Sequence, residues 1–141
     1  MRALIDTCVL VDAIQKRVPF WQDAATLLYA AAAFRFESFT TAKALTDIHY
    51  LMRRAFHDER KTRQSIQRLL RLVSVLDTFA EDSIGALDSS ISDFEDAVMA
   101  QTALRCDIDC IVTRLKSPTS NFHINILKLA VSDAKISLKV A

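Results

Sequence analysis

The sequence predicts an α/β fold, a three-layer α/β/α sandwich around a central parallel sheet of four or five strands. Two observations carry that expectation. Short apolar runs alternate along the chain with longer stretches whose apolar residues recur at helical spacing. Three of the runs end in polar pairs, Asp6 with Thr7, Thr40 with Thr41, and Thr113 with Arg114. In a parallel sheet those ends lie on one edge, beyond which such folds bind ligands.

The first strand is Ala3 to Ile5, handing over at Asp6 to a helix near Val9. Pro19, Phe20 and Trp21 open a second helix through the Ala-rich stretch to about Ala33. Phe36 to Thr40 alternates aromatic and polar residues as a strand, and Thr40 or Thr41 caps the next helix. Leu45, Ile48, Met52 and Phe56 mark one face of that helix, from about Ala42 to Phe56, and Ile66, Leu69 and Leu70 mark another from about Glu59 to Leu72. A third strand, Val73 to Leu76, precedes a short helix around Ser83 to Leu87, with Gly85 as its weak point. Ser92 and Glu95 form a capping box for a helix to about Arg105. Ile108 to Thr113 is the fourth strand, and Ile124 to Leu127 reads as an edge strand.

Composition narrows the function. A chain of 141 residues with 51% hydrophobic and 25% charged residues fits one globular domain, 1–141, able to bury about two-thirds of its unfolded surface. The longest uncharged apolar stretch, Ala24 to Phe34, is too short to cross a bilayer, and Asp6 breaks the N-terminal run before it reaches signal length, so a cytosolic protein is expected. Cys8, Cys106 and Cys110 lack zinc or disulfide spacing and read as reduced thiols, with Cys8 and Cys110 as small core hydrophobes. With 18 basic against 17 acidic residues, affinity for a polyanion must come from local groups or metal ions. A single glycine excludes a Gly-rich phosphate loop.

Asp96 shares a helix face with Met99, Ala100 and Ala103, so its carboxylate lies on a face fit for burial and needs a partner. Asp93 lies one turn earlier, and Asp47 borders the apolar stripe of its own helix. Carboxylates converging from separate segments repel one another, and a hard dication such as Mg2+ or Mn2+ is what stabilises such a cluster. Each acid also has an ordinary role: Asp6 as a helix cap, Asp93 as a first-turn acid, Asp47 as a solvated residue. His49 and His57 lack the HExxH spacing of a metal pair, and Arg60, Lys61, Arg63, Arg68 and Arg71 read first as a solvated helix face.

LIDTCVLVDA at the start, TTAKALTDIHYLMRR in the middle, and DFEDAVMAQTAL followed by CIVTR resemble the PIN-domain family over most of the chain. The resemblance implies a PIN-like sheet between helices and a Mg2+- or Mn2+-dependent endoribonuclease of the VapC toxin type. Asp6, Asp47 and Asp96 match the family's acidic positions, with Asp47 where Glu is usual. They are the candidate catalytic and metal-holding residues, with Asp93 and Asn121 as further metal candidates. Thr7, Thr41, Thr113 and Arg114 are the candidate substrate-binding residues. The implied partners are RNA and a cognate antitoxin protein, with no membrane, and the family is commonly dimeric.

Two positions depart from the family pattern. Cys8 stands where Asn commonly follows the Asp-Thr pair. Leu115 follows Thr113 and Arg114 where a polar or acidic residue is usual, and Asn121 then precedes Phe122 after a longer loop. Loss of a carboxylate weakens a site for a hard dication. The alternative reading is therefore a PIN-like domain that binds nucleic acid or a protein without cleavage. A phosphatase of the haloacid-dehalogenase type is disfavoured, since Cys8 occupies the place of its second Asp.

Overall fold

In the computed structural model, residues 1–114, 124–132 and 135–140 are described. The sequence of elements is β1 (Arg2–Ile5), α1 (Thr7–Gln15), α2 (Trp21–Ala32), β2 (Glu37–Thr41), α3 (Ala42–Phe56), α4 (Glu59–Leu69), β3 (Ser74–Leu76), α5 (Ala80–Leu87), α6 (Phe94–Arg105), β4 (Cys110–Arg114), β5 (Ile124–Ser132) and β6 (Lys135–Val140). The strands form one sheet in the order β3-β2-β1-β4-β5-β6. Strands β3, β2, β1 and β4 are mutually parallel. Strand β5 joins β4 antiparallel, and β6 joins β5 in the same sense.

Period-two alternation in the strands sorts the core onto two faces of the sheet. Ala3 packs with Cys110 and Val112 toward Leu27 of α2, and Ile5 joins a cluster with Val9, Leu10, Ala24, Ile48 and Met52 from α1, α2 and α3. Leu4, Phe39 and Ile111 point the other way, onto Ala100 and Ala103 of α6. The expected three layers are present, and β1 lies at their centre. From β1 the chain crosses to β2 on one side and on to β3, then returns from β3 to β4 on the other side of β1, so the carboxyl end of β1 opens on a topological switch point.

Helix ends explain most boundaries. Thr41 accepts the backbone N–H of Ala44 through Oγ1 and starts α3 where its apolar stripe begins. With Gly85 the only glycine in the chain, the left-handed positions that end α1 and α3 fall to Lys16 and His57.

Three expectations shift. Helix α6 is capped by Asp93, whose Oδ1 accepts the N–H groups of Glu95 and Asp96, and not by Ser92. Helix α5 begins three residues before the expected Ser83, because the Asp82 carboxylate accepts the N–H of Phe79 and so fixes an earlier first turn. The segment read as an edge strand, Ile124 to Leu127, is part of a longer strand covered by β6. Its direction agrees with chain length, since the stretch from Arg114 to Ile124 is shorter than the dozen or so residues a parallel crossover needs.

Candidate active site

Asp6 occupies the junction between β1 and α1. Its backbone carbonyl accepts the N–H groups of Val9 and Leu10, yet its carboxylate makes no capping bond to α1. Instead Oδ2 accepts the hydroxyl of Thr113 at 2.6 Å and the thiol of Cys8 at 2.9 Å. Both donors reach the same oxygen, and Oδ1 has no hydrogen-bond donor among the described residues. Burial first, then the charge of Asp6, pushes the Cys8 thiol up to about 12, so the sulfur keeps its proton and serves as a donor. Cys8 packs against the core as its apolar neighbours suggest, but it is only half-buried, and two residues after Asp6 its thiol also reaches that carboxylate.

Asp6 lines a cleft of about 270 Å³ with Thr7, Thr41, Lys43, Asp47, Glu95 and Asp96. Four segments converge here: the β1–α1 junction, the end of β2, the first turns of α3 and the first turn of α6. Asp96 is half-buried, and burial first, then the negative charges of Asp6, Asp93 and Glu95, pushes its carboxyl up to about 6. Thr41 is buried and spends its hydroxyl on the α3 cap. Asp47 faces the cleft from α3, where Lys43 Nζ holds its Oδ2 at 2.5 Å and reaches Glu95 Oε1 on α6 at 3.1 Å. Asp93 serves as the α6 cap and contributes its charge to Asp96 from there.

Thr113 and Arg114 stand behind the cleft. Thr113 is buried against Asp6, while Arg114 turns to Asp12, donating to Oδ2 at 2.9 Å and stacking over Phe20 at 4.0 Å. Asp12 is almost fully buried, and burial outweighs the pull of Arg114 and Arg17 and raises its pKa. His49 bonds Glu59 across the α3–α4 junction, away from the cleft lining. Leu115 and Asn121 lie outside the described residues.

Lys43 and Asp12 carry structural weight that motif spacing did not single out, and Glu95, read as half of a capping box, instead accepts from Lys43. Lys43 had a readable signal, four residues before Asp47 on one helix face. The bond from α3 to Glu95 had none.

Among the described residues, no three His, Cys, Asp or Glu side chains form a ready metal-binding group. The donor chemistry fits a dication held by fewer protein ligands. Asp6 and Asp96 are near enough for one charge to raise the other's pKa, and Mg2+ is typically bound through one or two carboxylates plus water and substrate oxygens.

The fold recurs in known toxins and toxin–antitoxin complexes. VapBC2 from Rickettsia felis, solved bound to a DNA fragment from its promoter, matches with a TM-score of 0.62 at 16% identity, covering 80% of this chain and 87% of that one. VapC20 of Mycobacterium tuberculosis, described as a sarcin-ricin loop cleaving toxin, matches with a TM-score of 0.60 at 16% identity over 77% and 86%. A toxin–antitoxin complex from Klebsiella pneumoniae gives 0.59 at 17% identity over 84% and 91%. No curated protein matches the chain. The family match is direct, for residues 2–116 fit the PIN domain, and the chain belongs to the PIN-domain family.

Proposed function

We propose that this chain is a Mg2+- or Mn2+-dependent endoribonuclease and the toxin of a toxin–antitoxin pair, acting in the cytosol. The observation that carries the reading is the Asp6–Asp96 pair: two carboxylates from separate segments face one cleft at the switch point of the sheet, and Asp6 is not consumed as a helix cap. The VapC-like structures support the toxin reading by fold, and their antitoxin complexes support a protein partner. RNA is the substrate class that the family suggests. A homodimer is proposed on the same ground.

Each residue has a part in that chemistry. Thr113 and Cys8 fix one oxygen of Asp6 and leave the other for a ligand. Asp96 supplies the facing carboxylate from α6, half-buried and within reach of the charge of Asp6. Thr7 and Thr41 line the cleft beside them. A dication bound there would polarise a scissile phosphate and lower the pKa of an attacking water. The protein therefore needs no nucleophile of its own.

Cleavage of a structured RNA in Mn2+ tests the reading. Asp6→Asn and Asp96→Asn are each expected to lower the rate at least about a hundredfold. Unchanged cleavage by both variants would sink the assignment. The bond from Lys43 to Asp47 favours the second reading, a PIN domain that binds without cutting, since it ties up one of three acids. Absence of cleavage by the native chain at every Mn2+ concentration would establish that alternative.

A further inference from the structure

The cleft holds a cation of its own. Lys43 Nζ lies within bonding distance of Asp47 Oδ2, at 2.5 Å, and of Glu95 Oε1, at 3.1 Å. An ordinary Lys–Asp pair four residues apart stays on its own helix. Lys43 also crosses from α3 to α6, and it lines the same cleft as Asp6 and Asp96. Among the described residues lining that cleft, four are carboxylates, Asp6, Asp47, Glu95 and Asp96, and Lys43 is the one cation. With every group ionised the lining carries three negative charges in excess. One dication at Asp6 and Asp96 nearly balances them, whereas a second would have to displace the ammonium from Asp47.

We propose that Lys43 is a resident cation of the cleft: it holds Asp47 and Glu95 in place of a second metal ion and leaves Asp6 with Asp96 as the pair open to a single dication. The inference rests on the metal-dependent reading above and specifies its stoichiometry. Lys43 is a positioning residue, acting on the metal through Asp47 and Glu95 and through its charge. Two-metal nucleases use paired ions to hold both the attacking and the leaving oxygen. Here the α3 side of the cleft is fixed by an ammonium, which is compact, mobile on its stem and unable to activate a water.

Calorimetric titration of the full chain with Mn2+ alone, with bound ions counted by electron paramagnetic resonance, tests this. The native chain and Lys43→Arg are expected to bind one ion. Lys43→Gln is expected to bind that ion about tenfold more tightly, because a positive charge near the site is gone, and to admit a second ion at Asp47 and Glu95. Adding Asp47→Asn to Lys43→Gln returns the count to one. Two ions in the native chain, or equal count and affinity in Lys43→Gln and native, would overturn the role of Lys43. In the second case, loss of binding in Asp6→Asn shows that the carboxylate pair itself stands. No binding in any variant overturns both readings.

Discussion

A carboxylate at a strand end is usually taken up by the adjoining helix, because the first N–H groups of a helix lack partners. Asp6 escapes that fate because two side-chain donors hold it from another direction. Thr113 is the stronger, an O–H donor at 2.6 Å from β4, and the Cys8 thiol is the weaker. A hydroxyl donating to an ionised acceptor makes a bond of the charge-assisted class, so the geometry of Asp6 depends mainly on Thr113. Thr113→Val keeps the shape of the side chain and removes that donor. It is expected to weaken Mn2+ affinity about tenfold, while Thr113→Ser stays near native. Calorimetry on the two variants checks this; equal affinities would mean that the Thr113 hydroxyl does not set the geometry of Asp6.

Helix α6 carries Asp96 into the cleft, and its placement depends on its partner α5. Asp82 of α5 is nearly fully buried and accepts from Arg105 Nε and the Arg105 terminal nitrogen, from Thr102 and from the N–H of Phe79. Burial alone would raise its pKa, but these donors outweigh it and hold the carboxyl below the usual range. A lowered carboxylate stabilises the fold above its unfolded pKa, and that contribution is lost as pH falls through the folded value. Asp82→Ala removes the carboxylate that Arg105, Thr102 and the Phe79 N–H share and is expected to cost about 3 kcal/mol at neutral pH, with the difference shrinking in acid. Urea unfolding at pH 7 and pH 3 measures both. Contacts of this kind, made between helices, also divide the features legible in sequence from those that are not. The bounds of α3, Ala42–Phe56, were legible because apolar period and cap agree. The cap of α6 was not, because Ser92 and Asp93 are both good cap residues and only the backbone path selects Asp93. Arg114 resembles a substrate contact of the family, and its bond to the buried Asp12, on a helix far away in sequence, had no signal in its own segment.

For the whole molecule, a net charge of +1 conceals an acidic cleft assembled from residues near 6, 47 and 95. The edge of the sheet that bears the candidate cleft was legible, because strand ends in a parallel fold share one side. The charge balance inside it was not, because the Lys43 bridge joins segments some fifty residues apart and follows no local pattern. That concealed charge bears on the stability of the whole fold. Asp96 has an ordinary pKa of 3.8 when unfolded and about 6 when folded. A raised carboxyl favours the folded state fully below pH 3.8, and the advantage is lost as pH rises through about 6. Metal-free protein therefore loses stability between those limits, where the folded state must give up the proton that it binds more tightly. The full shift corresponds to about 3 kcal/mol, and discounting for solvent screening of a half-buried group leaves about 1 to 2 kcal/mol. Asp96→Asn removes the titrating group without removing its volume. It is expected to be more stable than the native chain by that amount at pH 7 and equal to it near pH 3.5, as read by chemical denaturation in the presence of a chelator. A variant less stable than native at pH 7 would mean that the Asp96 carboxylate is compensated in the metal-free fold and that the cleft is not strained by its acids.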